Sequence, residues 1–205
     1  MTKGTERLEA FSDGVFGIAL TLLVLEFQIP NRDASTNNAI LLGELRALWP
    51  SLVAFCISFV VVLIMWINHH ELIGLVRHVD YPLLYANGGV LLVVTFVPFP
   101  TKVLARHLGT SAANAAAMFY CATFFFISLS WNALLASIIW KRRLVKPDVT
   151  DATLARVRTA YAVAPIVYGL SVALALWNAA AGLALCASLW LVWMRLCYGS
   201  KSAAI

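Results

Sequence analysis

From Thr159 to Met194 the chain carries no charged residue. A membrane span needs about 20 apolar residues, so this stretch is too long for one span and fits two. The turn between them is expected near Asn178 to Gly182. The same reading along the chain gives six candidate spans, at 8–28, 49–68, 81–99, 112–140, 158–177 and 180–198. Pro30-Asn31-Arg32-Asp33 ends the first, Pro50 suits the first turn of the second, and Pro98-Phe99-Pro100 ends the third. The fourth is long enough to tilt or to extend past the bilayer. Of the 205 residues, 61% are hydrophobic and 12% are charged, more apolar surface than a soluble domain of this size could hide. The expectation is an all-α integral membrane protein, with residues 1–205 forming one six-helix domain.

The net charge of +5 is modest, and its placement matters more than its size. With the N-terminus inside, inner segments hold Lys3, Arg7, Arg77, Lys141, Arg142, Arg143, Lys146, Arg156, Arg158, Arg195 and Lys201. Outer segments hold Arg32, Arg46, Lys102 and Arg106. Eleven against four predicts a multi-pass protein with both termini cytoplasmic. Basic residues confined to short loops argue against nucleic acid as a partner. The N-terminal residues meet acidic groups before any apolar core, unlike a secretory signal peptide. Cys56, Cys121, Cys186 and Cys197 lie in apolar stretches without ligand spacing and read as buried thiols.

The first span is the most informative. Asp13 sits about one helical turn before an aliphatic run interrupted by a single hydroxyl, Thr21. A charge near mid-bilayer costs on the order of 2.5–3.5 kcal/mol by insertion scales, so Asp13 needs partners and marks a functional site by default. The topology puts Trp66, Asn68, His69, His70, Asp80 and Asn87 at the same cytoplasmic-side level. A network is expected in which Ser12 and Asp13 bond to His or Asn of neighbouring spans and pin the first helix. His69, His70 and Glu71 do not read as a metal site, because adjacent helical residues point about 100° apart. Ile18, Thr21, Leu22 and Leu25 follow the i, i+3, i+4, i+7 pattern and share one helix face. Periodicity alone makes that face a packing stripe, although a hydrophobic constriction can also gate a pore. No Thr-Val-Gly-Tyr-Gly filter loop occurs.

Three motifs carry a family resemblance. Arg7-x3-Phe11-Ser12-Asp13-Gly-Val-Phe-x-Ile18-Ala-x-Thr21-Leu22-Leu-Val-Leu25-Glu is similar to the first-helix signature of bacterial relatives of the lysosomal potassium channel transmembrane protein 175. Trp66-x-Asn68-His69-His70-x-Leu72 continues the similarity, as do Asp80-x6-Asn87 and Phe96-Val-Pro98-Phe99-Pro100-Thr101. The second half agrees only in span count and in its basic linker. The departures are small: Gly17 stands where alanine is usual, and Leu20 where isoleucine is usual.

The resemblance implies six-span subunits forming a homotetramer in the plasma membrane, a potassium-channel fold in which first helices line the pore. Ile18, Leu22 and Leu25 would then form constriction rings, and Thr21 a ring of hydroxyls favouring potassium over sodium. Arg7, Phe11, Ser12 and Asp13 would hold the helix. The implied activity is a modestly selective potassium channel, with potassium as permeant, lipid as surroundings and no cofactor or bound metal. The residues by themselves leave open a proton-coupled transporter, or a proton-permeable channel, built on Asp13, His69 and His70. An enzyme is not expected, since no nucleophile or metal set converges.

Overall fold

The computed structural model describes residues 4–27 and 37–199. Among these residues there are eight α-helices and no strand: α1 (Glu6–Leu22), α2 (Asn38–Ala47), α3 (Trp49–Gly74), α4 (Tyr81–Phe96), α5 (Pro98–His107), α6 (Ala113–Ile139), α7 (Asp151–Ala175) and α8 (Ala179–Gly199). Five stretches are long and apolar enough to cross a bilayer: Glu6–Leu25, Trp49–Gly74, Tyr81–His107, Ala113–Ile139 and Asp151–Ala175. A sixth apolar stretch, Ala179–Met194, lies within α8.

Several boundaries differ from the sequence-based expectation. Span 3 does not end at Pro98-Phe99-Pro100; α5 starts there and carries the span on to His107. Proline is tolerated in a first helical turn, where its missing N–H would be unpaired anyway. The prolines therefore break the helix without ending the crossing. The short helix α2 was not expected. Asn37 caps it by accepting the Ile40 N–H at 3.0 Å, and none of its residues is buried. Helix α7 starts earlier than expected, at Asp151, because Thr150 accepts the Thr153 N–H as its cap. The α-helical first span gives way to a 3₁₀ turn over Leu23–Glu26. Its expected end at Pro30 to Asp33 lies outside the described residues. Cys121 and Cys186 are buried as expected, but Cys56 is exposed, on the outer side of α3.

Helix α6 is the hub, packing against α4, α5, α7 and α8. Its inward residues Tyr120, Phe124, Leu134 and Ile138 are fully enclosed. A buried hydroxyl cluster ties three helices together: Ser58 of α3 lies 2.7 Å from the Thr101 hydroxyl of α5 and 3.2 Å from the Tyr120 hydroxyl of α6. Asn114 of α6 clamps the α7–α8 turn, donating to the Leu176 carbonyl at 3.2 Å and accepting the Ala179 N–H at 3.0 Å. Helix α1 is peripheral, and among the described residues it packs mainly against α3 and α4.

The α7–α8 hairpin closes tightly on Gly182. A Cβ there would stand 2.6 Å from the Ala175 Cβ and 2.7 Å from its Cα, and that backbone cannot yield cheaply. Gly182→Ala is expected to cost about 1–3 kcal/mol, the usual scale of overpacking. The measurement is the thermal unfolding midpoint of purified protein in detergent, and an unchanged midpoint would show that the two helices separate freely.

Candidate functional site: the two faces of the first helix

Helix α1 buries Leu8, Ser12, Phe16 and Ala19, and Leu23 continues the same side. These positions recur every three to four residues and form one stripe. Phe16, Ala19 and Leu23 are fully enclosed. The polar member of the stripe, Ser12, is also fully enclosed, and it is met by α4: the Asn87 Nδ2 donates to the Ser12 Oγ at 3.0 Å. The other end of that carboxamide accepts from α3, where the His69 Nε2 lies 2.7 Å from the Asn87 Oδ1. A carbonyl oxygen only accepts, so this arrangement puts the proton of His69 on Nε2. The imidazole is held between rings, with centroids 5.4 Å from Phe16 and 6.1 Å from Trp131. Beside this chain, the Trp66 indole Nε1 donates to the Asp13 Oδ1 at 2.7 Å. Helices α3 and α4 thus converge on the first turns of α1.

The structure brings together Ser12, Asp13, Trp66, His69 and Asn87, and leaves the other sequence candidates apart. Asn68 folds back on its own helix, donating to the Ile64 carbonyl at 2.8 Å. His70 is exposed. Asp80 caps α4 by accepting the Leu83 N–H at 3.0 Å and pairs with Arg143. Arg7 and Phe11 are exposed, and with Leu8, Val79 and Leu84 they line an open hollow of about 370 Å³. No three His, Cys, Asp or Glu side chains are grouped for a metal ion among the described residues. Sequence reasoning missed Trp131 and Arg143, which come from α6 and from the linker after it. Nothing in their local spacing signals a partner some sixty residues away.

The opposite face of α1 is bare. Ile18 is 58% exposed, Leu22 38% and Leu25 64%, with Thr21 exposed between them. The Thr21 hydroxyl donates to the Ile18 carbonyl at 2.8 Å, a bond that uses its proton and not its lone pairs. The 3₁₀ turn adjusts the register, because residues three apart eclipse in that geometry and Leu25 stands over Leu22. From Ile18 to Leu25 the stripe is about 12 Å long at the rises of the two helix types.

A family model described as endosomal/lysosomal potassium channel TMEM175 matches residues 7–98, a range holding every sequence candidate from Arg7 to Asn87. A potassium channel of Streptomyces collinus is 41% identical over 171 residues, covering 82% of this chain and 81% of that one. A potassium channel of Chamaesiphon minutus is 47% identical over 130 residues, covering 63% of this chain and 64% of that protein's length. The crystal structure of a lysosomal potassium-selective channel TMEM175 homolog from Chamaesiphon minutus superposes with a TM-score of 0.82 at 36% identity, covering 94% of this chain and 97% of that one. Fold and sequence together define a class, the multi-pass α-helical ion channels, and exclude an enzyme family. The chain belongs to the TMEM175 family.

Removing Asn87 orphans two buried partners at once. Asn87→Leu is expected to cost more than Trp66→Phe, since each enclosed polar group left unpaired costs about 1–3 kcal/mol, whereas Asp13 is exposed and can find other partners. Unfolding midpoints of the two variants in detergent check the order, and equal losses would show that the buried bridge is not the stronger anchor.

Proposed function

We propose that this chain is a potassium-preferring cation channel that crosses the plasma membrane six times, with both termini cytoplasmic. Four copies surround a central pore, and α1 of each copy lines it. The observation that carries this reading is the division of α1. One face is locked onto α3 and α4 by buried contacts, while Ile18, Thr21, Leu22 and Leu25 stand unburied at the subunit's edge. The names of the relatives support potassium as the permeant ion. No cofactor is required.

Four such stripes facing one another would form apolar rings of Ile18, Leu22 and Leu25, a constriction that resists wetting. A cation passing it sheds part of its hydration with few compensating oxygens. The ring of Thr21 hydroxyls supplies the nearest ones, so selectivity is modest compared with carbonyl-lined filters. Ser12, Asp13, Trp66, His69 and Asn87 lie outside this path and act by holding the helix, with Asp80 fixing the start of α4. A proton relay through Asp13, His69 and His70 is a weaker reading, because the hydrogen bond of His69 runs to the Asn87 carboxamide, which does not titrate, and His70 is exposed.

Purified protein in liposomes should conduct potassium faster than sodium, and its mass in detergent should correspond to four chains. Ile18→Asn is expected to raise flux several-fold and to weaken the discrimination between the two ions. Unchanged flux and selectivity in that variant would remove Ile18 from the ion path, and flux driven by a pH gradient would favour the proton reading.

A further inference from the structure

Helix α4 supplies Asn87, and its first turn is fixed by a residue from the other half of the chain. One oxygen of Asp80 caps the helix at the Leu83 N–H. The other receives the guanidinium of Arg143, from the linker between α6 and α7. Arg143 is not carried on a loose loop. Leu144 and Val145, which follow it, are only 1% and 4% exposed. The Leu144 carbonyl accepts the Arg77 N–H at 2.9 Å, and the Lys146 N–H donates to the Leu75 carbonyl at 2.9 Å. Val76 and Val145 form an isolated antiparallel bridge between these segments. The Arg77 guanidinium donates to the carbonyl of Arg143 itself at 3.0 Å. The backbone that presents Arg143 is therefore set by the connection between α3 and α4.

From Asp80 the geometry runs directly to α1. Leu83, whose N–H Asp80 caps, is fully enclosed, and Asn87 lies one turn further on the same face. Asn87 then holds Ser12. A first turn that slides or unwinds moves the carboxamide relative to Ser12, and α3 and α4 are the main helices that α1 packs against among the described residues.

We propose that Arg143 is a positioning residue for the pore helix: through Asp80 it fixes the start of α4, and through Asn87 the orientation of α1. The proposal rests on the reading that α1 lines the pore. It makes the α6–α7 linker, which lies beyond the residues matched by the family model, a contributor to ion selection without touching the ion path.

The test separates this ion pair from the helix cap. Asp80→Asn keeps the cap, because asparagine is as good a capping residue as aspartate, and removes the charge. Arg143→Gln removes the partner, and Arg143→Lys keeps the charge. Potassium and sodium fluxes are measured in liposomes for each single variant, for the Asp80→Asn/Arg143→Gln double variant and for Ile18→Asn. Each neutralising single variant is expected to shift the potassium-to-sodium flux ratio measurably and by no more than about fivefold, the most that an ion pair of up to about 1 kcal/mol can transmit. The double variant should do no worse than either single, and Arg143→Lys should stay near the parent ratio. A merely structural role would lower the amount of folded protein and leave the ratio alone. Should Arg143→Gln fail to fold, Asp80→Asn carries the test by itself. The proposal is overturned if the neutralising variants keep the parent ratio while Ile18→Asn changes it, or if their effects multiply in the double variant. If Ile18→Asn also leaves the ratio unchanged, the pore reading fails first and takes this proposal with it.

Discussion

Asn87 uses both ends of its carboxamide inside the protein, donating to Ser12 of α1 and accepting from His69 of α3. Apolar packing between membrane helices does little to fix their register, because lipid tails are as apolar as leucine. A buried amide with two buried partners is different. An unpaired polar group in a low-dielectric interior is costly, so only the depth and rotation that satisfy all three groups remain favourable. The bridge thereby selects which residues of α1 turn inward. Once Ser12, Phe16 and Ala19 are inward, Ile18, Thr21, Leu22 and Leu25 have nowhere to go but outward.

The rest of the subunit gives that bridge a fixed base. Ser58, Thr101 and Tyr120 make a second buried polar joint, linking α3, α5 and α6. Helix α6 touches most of the other helices, and its Trp131 closes one side of the His69 ring. The linker after α6 returns to the α3–α4 connection through main-chain hydrogen bonds and through Arg143. Both partners of α1 are thus held from behind, and α1 itself is left at the margin of the subunit. A helix at the margin with one locked face and one bare apolar face leaves that face available to lipid or to a second copy of the chain.

The site was partly legible in the sequence. A carboxylate entering an aliphatic run demands partners, and that demand pointed to Ser12, Asp13, Trp66, His69 and Asn87 before any contact was visible. The same reasoning gathered Asn68, His70 and Asp80 into one network because it could place residues by depth but not by direction around a helix. In the structure Asn68 bonds to its own backbone, His70 faces out, and Asp80 belongs to the linker clip. Pro98 and Pro100 look like an end in the sequence for a related reason. A proline excludes itself from a helix interior, but only packing decides whether a new helix continues in the same direction.

The sequence by itself determined that the chain is helical and membrane-embedded, because a run such as 159–194 has no other way to satisfy its backbone in lipid. Its first-helix signature also determined the family. Only the tertiary structure decided which side of α1 is anchored and which is bare, and that Arg143 reaches Asp80. Those outcomes depend on contacts between residues far apart in the chain, where helix rotation and side-chain reach, rather than local pattern, set which groups can pair.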